Sequence, residues 1–395
     1  MRSEAELVPF SVAAEVNPRD VPNGNRIPYV AMQDVSEEGR LLRVEERPLA
    51  DVATSQPTFR DDDILFAKIT PCMENGKGAL VHGLGHSVGY GSTEFHVLRP
   101  TGKALPGFIH YWTCLRRFRR AAEATMTGSG GQRRVPAEFF RAFRIPLPSL
   151  PEQHRIVEIL DSVTETERVL ARTKAKLSII TSSARSSLIE ELSNSEAVRV
   201  KDLGNVRGGK QLSPSGKENP EQYPYLRVAN VLAGRISFSD VKTMHFTNSE
   251  KDTYQLQPGD ILLNEGQSLE LVGRSAIYNE QPGKFFFQNT LIRFRPGPRV
   301  KSRFAQEVFT HWLASGRFSG IAKQTTSIAH LGSERFASMS FPEATIARQE
   351  QVIAILDAQL QRSASVERQL AKLRLLREGL ADDLLSGRVP VGSVS

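Results

Sequence analysis

Arg144-Ile145-Pro146-Leu147-Pro148-Ser149-Leu150-Pro151-Glu152-Gln153-His154-Arg155-Ile156-Val157-Glu158-Ile159-Leu160-Asp161 turns a Pro-rich extended run into a helix within a few residues. Ser149 with Glu152 three positions on is a capping box, and Pro151 in the first turn has no amide hydrogen to lose. Beyond it, Ile156, Leu160, Val163, Leu170, Leu177 and Leu188 recur at helical or heptad spacing among Glu, Arg, Lys and Ser. That predicts one long helix with a single apolar seam. The stretch returns in weaker form as Ser340-Phe341-Pro342 through Gln349 to Ile355-Leu356-Asp357, 196 positions later. Here Thr345 is the expected cap, Arg348 stands where the reciprocal Glu would be, and Val352, Leu356, Val366, Leu370, Leu373, Leu380 and Leu384 form the seam. Gly387 and Pro390 are the stop.

The same offset runs outward through the chain. Pro28-Tyr29-Val30 recurs as Pro224-Tyr225-Leu226, Arg99-Pro100 as Arg295-Pro296, Phe140 as Phe336, Pro146 as Pro342 and Gln153 as Gln349, while Asp63-Ile64-Leu65 recurs one position further on as Asp260-Ile261-Leu262. A repeat this long is a whole domain. Each copy begins with a Gly- and Pro-rich part containing short apolar runs, such as Ile64-Leu65-Phe66, Phe95-His96-Val97-Leu98, Ile261-Leu262-Leu263 and Leu291-Ile292-Arg293-Phe294, which read as strands. A helix is expected over 108–123 and over 304–323. The expected fold class is therefore α+β: two similar domains, 1–148 and 194–344, separated by a pair of long antiparallel coiled-coil helices, 149–193 and 345–395 with its tail, in a pseudo-two-fold arrangement. A helix of this length, roughly 60 Å, exceeds what one small domain buries, so the two seams are expected to cover each other.

Composition narrows the partners. Lys and Arg number 51 against 44 Asp and Glu, a formal charge of +7 that allows a polyanion without requiring one. Two cysteines, Cys72 and Cys114, exclude a disulfide framework and a Cys-rich zinc site, and fit a reducing cytoplasm. The N-terminus lacks the apolar stretch of a signal peptide, and no apolar run reaches membrane-spanning length. Two like domains held at a fixed separation suit a ligand that repeats along its axis with local dyads, which is double-stranded DNA.

The 144–161 junction closely resembles the one in Type I restriction-modification specificity subunits, where a target recognition domain enters a spacer helix through a Pro-Leu-Pro, Glu-Gln, Arg-Ile-Val and Leu-Asp run. The Asp-Ile-Leu strands and the two-copy layout are similar as well. The second junction departs from the pattern, without the Pro-Leu-Pro and the Glu before Gln349. The resemblance implies a non-catalytic subunit that binds a bipartite, asymmetric DNA site, one half per domain. It also implies that the helices, through 152–192 and 349–385, dock two DNA adenine methyltransferase (modification) subunits, which in turn support restriction/translocase subunits. It implies no cofactor in this chain, S-adenosylmethionine, Mg²⁺ and ATP belonging to those partners.

The resemblance assigns no contact residue, so DNA-binding candidates are chosen by chemistry. Gly128-Ser129-Gly130-Gly131-Gln132-Arg133-Arg134 is a cationic loop whose glycines admit a phosphate, with Arg suited to guanine and Gln to adenine. Its aligned partner runs from Lys323 and Gln324 through Thr325-Thr326-Ser327 to His330. Lys68 follows one Asp-Ile-Leu strand, and Asn264, Gln267 and Ser268 follow the other. Arg116, Arg117, Arg119 and Arg120 form the densest basic run, on a helix that is either a phosphate-contacting or merely a solvated face. Arg227 and Asn230 complete the set. For each of these, solvated surface is the competing reading.

Enzyme signatures are absent from the sequence. Gly83-Leu84-Gly85-His86-Ser87-Val88-Gly89 has the wrong spacing for a dinucleotide loop, and no Walker loop or Asn-Pro-Pro-Tyr-type motif occurs. Asp240-Val241-Lys242 lacks the upstream acid of a nuclease site, and His82, His86 and His96 lack spaced partners. A two-headed protein-protein scaffold on a coiled-coil rod remains the alternative. It differs from a DNA reader in showing no salt-dependent retention on heparin or duplex DNA.

Overall fold

The computed structural model describes residues 6–85, 87–193, 197–212, 219–324 and 328–393. The chain divides into two compact units, Met1–Arg172 with Arg368–Ser395, and Thr173–Glu367. Each unit therefore holds one globular domain together with part of both long helices, Leu150–Ser193 and Ile346–Ser386.

In the first unit the apolar run becomes the strand Ile64–Ala67, central in an antiparallel sheet with Ala14–Val16, Phe95–Pro100 and Gly78–Leu80. Alternation along a strand sends successive side chains to opposite faces. Ile64 and Phe66 accordingly join a core with Phe108, Trp112, Phe118 and Phe140, whereas Leu65 and Ala67 join another with Val30, Phe59 and Val97. A second sheet, built on Arg26–Val30, closes that other core. Burial on both faces explains why Ile64-Leu65-Phe66 reads as an unbroken apolar run.

The second unit repeats this. Ile261–Asn264 is central among Gly204–Gly208, Leu291–Pro296 and Ser275–Ile277, with Ile261 and Leu263 facing one core and Leu262 the other. A further sheet there joins three strands, Lys242–Met244, Tyr223–Leu226 and Phe286–Phe287. In both units a terminal strand pair closes the domain just before the long helix, Glu6–Pro9 with Arg144–Leu147 and Ala197–Arg199 with Ser340–Pro342. The helices expected over 108–123 and 304–323 are each broken. Leu115 is extended between Pro106–Cys114 and Arg116–Ala124, and Gly316, at φ +75°, separates Ser302–Ala314 from Arg317–Ile321.

The duplicated polar residues turn out to be fasteners. Asp63, 1% exposed, takes a two-point ion pair from Arg99 at 2.8 and 2.7 Å, and Asp260 takes the same from Arg295 at 2.7 and 2.8 Å. Gln153, fully buried, accepts from the Leu105 amide at 2.9 Å and donates to the Lys103 and Pro148 carbonyls at 3.0 and 2.9 Å. Gln349 does likewise with Lys301, Arg299 and Ala344. These amides tie the first turn of each long helix to its domain.

The caps follow the sequence in outline. The Ser149 amide and hydroxyl both donate to Glu152, at 3.0 and 2.7 Å, and Thr345 Oγ1 accepts from the Arg348 amide at 3.3 Å. Gly387 ends the second helix at φ +72°. Within each unit the helices run antiparallel. In the first, Glu167 binds Arg374 and Arg377, both at 2.9 Å; in the second, Lys174 pairs with Glu367 and Glu191 with Arg348. Near their ends the helices also pack into the domains. Ile156, Leu160, Leu384 and Leu385 belong to the first unit's main core, and Ile189, Leu192, Val352 and Leu356 to the second's.

Candidate nucleic-acid interface

The loops matched by sequence meet in one small ribbon per unit. In the first, Ile69 and Thr127 both bridge to Arg134, placing the end of the Ile64–Ala67 strand beside a hairpin over 127–134. In the second, Gly266 and Lys323 both bridge to His330. These three positions match at the repeat offset, so the ribbon is part of the duplicated fold.

Gly128, Gly130 and Gly131 lie at φ +118°, +62° and +75°, and a Cβ on Gly128 would come within 2.8 Å of the Gln132 carbonyl oxygen. The glycines therefore serve the hairpin turn first. Gln132 is exposed at the tip, and Arg133 donates to the Glu123 carbonyl at 3.1 Å. Arg134 grips Glu94 through two hydrogen bonds, at 2.9 and 2.8 Å. Those bonds hold the Glu94 carboxyl below its usual range against the opposing effect of burial, and the charges of Arg134 and Lys68 add to them. Lys68, half-buried behind the pair, is held below the usual ammonium range by burial, with Glu94 opposing and Arg134 reinforcing. Two cations share one carboxylate here, leaving a net positive lip.

In the second unit Lys323 and Gln324 are exposed on the ribbon, and His330 Nδ1 lies 3.0 Å from Glu265. Gln267 is half-buried and caps the Ser268 amide at 3.1 Å, while the Ser268 carbonyl accepts the Leu271 and Val272 amides. Thr325, Thr326 and Ser327 lie outside the described residues. Beside this ribbon a cleft of about 650 Å³ opens, with Tyr225, Arg227, Lys242, His245, Gln288 and Thr290 among its walls. In the sequence Lys242 stands out only as the end of an incomplete nuclease-like motif, and Gln288 not at all. Their signal as cleft residues is position alone, next to the Pro-Tyr strand and the Phe285-Phe286-Phe287 run.

Three candidates are corrected by burial. Arg119 is 6% exposed, donates to the Met73 and Lys77 carbonyls and lies 4.9 Å over Phe66; burial pushes its guanidinium down to about 10. It holds the core together and faces no solvent. Asn230, 2% exposed, accepts the Arg227 amide and donates to the Ser237 and Asp240 carbonyls, which uses up its amide in the turn. Asp34 accepts the Ala31 amide at the matching place in the first unit, a correspondence that identifies the job as structural. Asn264 is fully buried beneath Val231.

The rest of the Arg run is divided. Arg116 pairs with Glu378 at 3.3 Å, and Arg117 with Asp382 at 2.8 Å while stacking on Trp112, so both face the second long helix; Arg120 is exposed. Arg227 is anchored by Asp240 at the cleft mouth. His82 pairs with Asp62, and His96 is buried between Asn17 and the Val135 carbonyl. His86 lies outside the described residues. Among the described residues no three His, Cys, Asp or Glu side chains gather to hold a metal. No helix among them is long and apolar enough to cross a membrane.

The family model for the Type I restriction modification DNA specificity domain matches twice, over 20–178 and 193–374. The EcoAI specificity subunit of Escherichia coli is 38% identical over 152 residues, covering 36% of this chain and 25% of that relative. The EcoKI specificity subunit of Escherichia coli K12 is 27% identical over 218 residues, covering 50% of this chain and 46% of the relative. The matched part thus spans less than half the length of either. Among solved structures, a chain described under complex assembly and conformational transition of the type I R-M system has TM-score 0.70 at 17% identity, covering 98% of this chain and 99% of that one. The HsdS subunit from Thermoanaerobacter tengcongensis has TM-score 0.55 at 18% identity, covering 97% of each chain. Both likenesses concern the fold.

Proposed function

The chain belongs to the Type I restriction modification DNA specificity family, and on that premise we propose that it is the sequence-reading subunit of a Type I restriction-modification complex. Each recognition domain, 1–148 and 194–344, takes one half of a bipartite, asymmetric site in double-stranded DNA. The observation that carries this reading is the ribbon, built twice on matched residues and presenting cations and amides each time. Gln132, Arg133, Arg134 and Lys68 serve the first half-site, and Lys323, Gln324, Gln267, Ser268 and His330 the second. Cations fix register on phosphate while amides and guanidinium groups address base edges.

The chain supplies recognition and spacing rather than catalysis. Its helices, through 152–192 and 349–385, dock two adenine-methylating subunits, and S-adenosylmethionine, Mg²⁺ and ATP are handled by those subunits and by restriction subunits, in the cytoplasm. Helix length sets the unspecified gap between half-sites.

The test is retention of the assembled complex on duplex DNA as salt rises. The logarithm of affinity should fall linearly with the logarithm of salt, with a slope of about −0.9 per phosphate contacted. Retention indifferent to salt would favour the protein scaffold instead.

A further inference from the structure

Around the Pro-Tyr strands the two units carry different chemistry at matched positions. Across the antiparallel pair Tyr29 faces Glu45, whereas Tyr225 faces Lys242. Ala31 matches Arg227, since each gives its amide to the side-chain oxygen three residues on, in Asp34 and Asn230. Ser92 matches Gln288, whose amides donate to Val30 and Leu226, both at 3.0 Å, and Glu94 matches Thr290, whose carbonyls accept the Lys68 and Glu265 amides. The second unit thus has Arg227, Lys242, Gln288 and Thr290 where the first has Ala31, Glu45, Ser92 and Glu94.

All four second-unit residues line the 650 Å³ cleft, alongside the apolar Leu212, Val228 and Met244. Asp240 holds both cations, Arg227 at 2.5 Å and Lys242 at 3.1 Å, which orients them and leaves one positive charge uncompensated. Thr290 joins cleft to ribbon: its hydroxyl accepts the Val228 amide at 3.2 Å and its carbonyl accepts Glu265. An apolar wall with a few fixed donors is the composition of a site that selects its ligand, not of a bare phosphate groove.

We infer that Arg227, Lys242 and Gln288 read base edges in the half-site of the second unit, and that the first unit, with Ala31, Glu45 and Ser92 at those positions, reads a different half-site. The inference rests on the DNA-reading function proposed above. The donors suit purine edges, Arg and Lys facing guanine O6 and N7 and Gln facing adenine N6 and N7. The asymmetry of the target then has a physical source in these diverged positions.

The test uses the full chain with its modification subunits in a host free of other adenine methylation, with N6-methyladenine mapped genome-wide. Gln288→Ala and Lys242→Ala should each relax one or two positions within a single half-site, with discrimination falling roughly tenfold. Gln132→Ala should alter only the other half. Lys242 is mostly exposed, its side chain at 57%, so its replacement leaves the fold intact. Both cleft variants keeping the wild-type motif at wild-type stringency would overturn the inference. So would uniform weakening with an unchanged motif, the signature of phosphate contacts. If the unaltered complex marks no split site, the parent reading fails and this one with it.

Discussion

Replacing Gln153 with Ala removes three hydrogen bonds at one fully buried amide, those with the Leu105 amide and the Lys103 and Pro148 carbonyls. Each bond contributes about 1 kcal/mol net, and leaving buried backbone groups unpaired costs more than simply losing a bond, so the expected loss is about 3–4 kcal/mol. For a unit of this size that lowers the unfolding midpoint by roughly 10 °C. The assay is urea or calorimetric unfolding of the full chain, with Gln349→Ala as the matched perturbation in the second unit. Gln153→Glu sharpens the test. An ionised carboxylate still accepts from Leu105 but turns lone pairs onto two carbonyls, so this variant should be less stable at pH 8 than at pH 5, where protonation restores a donor. A loss below about 1 kcal/mol for the Ala variant, or wild-type stability of the Glu variant at pH 8, would refute the fastener argument.

Other consequences are equally open to measurement. Arg99→Lys keeps the charge beside Asp63 but loses the two-point fork, and should cost about 2–3 kcal/mol in urea unfolding; an unchanged midpoint contradicts this. Burial holds His96 at about 4, against about 6.5 when unfolded. Its contribution is therefore complete above pH 6.5 and is lost as pH falls towards 4, roughly 3 kcal/mol across that window. His96→Gln should flatten that part of the stability-pH curve. Arg116→Ala with Arg117→Ala should leave the salt slope of DNA binding unchanged, because both side chains face the second long helix, whereas Arg133→Ala should reduce the slope by about one phosphate.

What the sequence made legible is what the duplication marks twice. Asp63 and Asp260, Gln153 and Gln349, and Phe140 and Phe336 recur because each performs the same buried task in its unit, and the matched loops meet in matched ribbons for the same reason. Burial of single polar residues was not legible. Arg119 lies one turn from exposed Arg116 and looks identical in sequence, yet its face of the helix points at Phe66. Asn264 ends an apolar strand and reads in sequence as the start of a loop, but the strand carries it inward. Asn230 was decipherable in principle, since Asp34 at the repeat offset makes the same turn bond. The cleft is not legible because Lys242 and Gln288 come together only through strand pairing, and the Asp240-Val241-Lys242 run that holds one of them points to other chemistry.

Two like domains reading two halves of one DNA site, at a spacing set by the long helices, form the core of the proposed function. It is tested most directly by mapping N6-methyladenine in a host carrying this chain with its modification subunits, and again after seven residues are removed from each long helix. The first map should show two specified halves around an unspecified gap. In the second the halves should be unchanged and the gap shorter by roughly three base pairs, the reach of seven helical residues at about 1.5 Å each. A single uninterrupted motif, or a gap that ignores the deletion, would contradict the account.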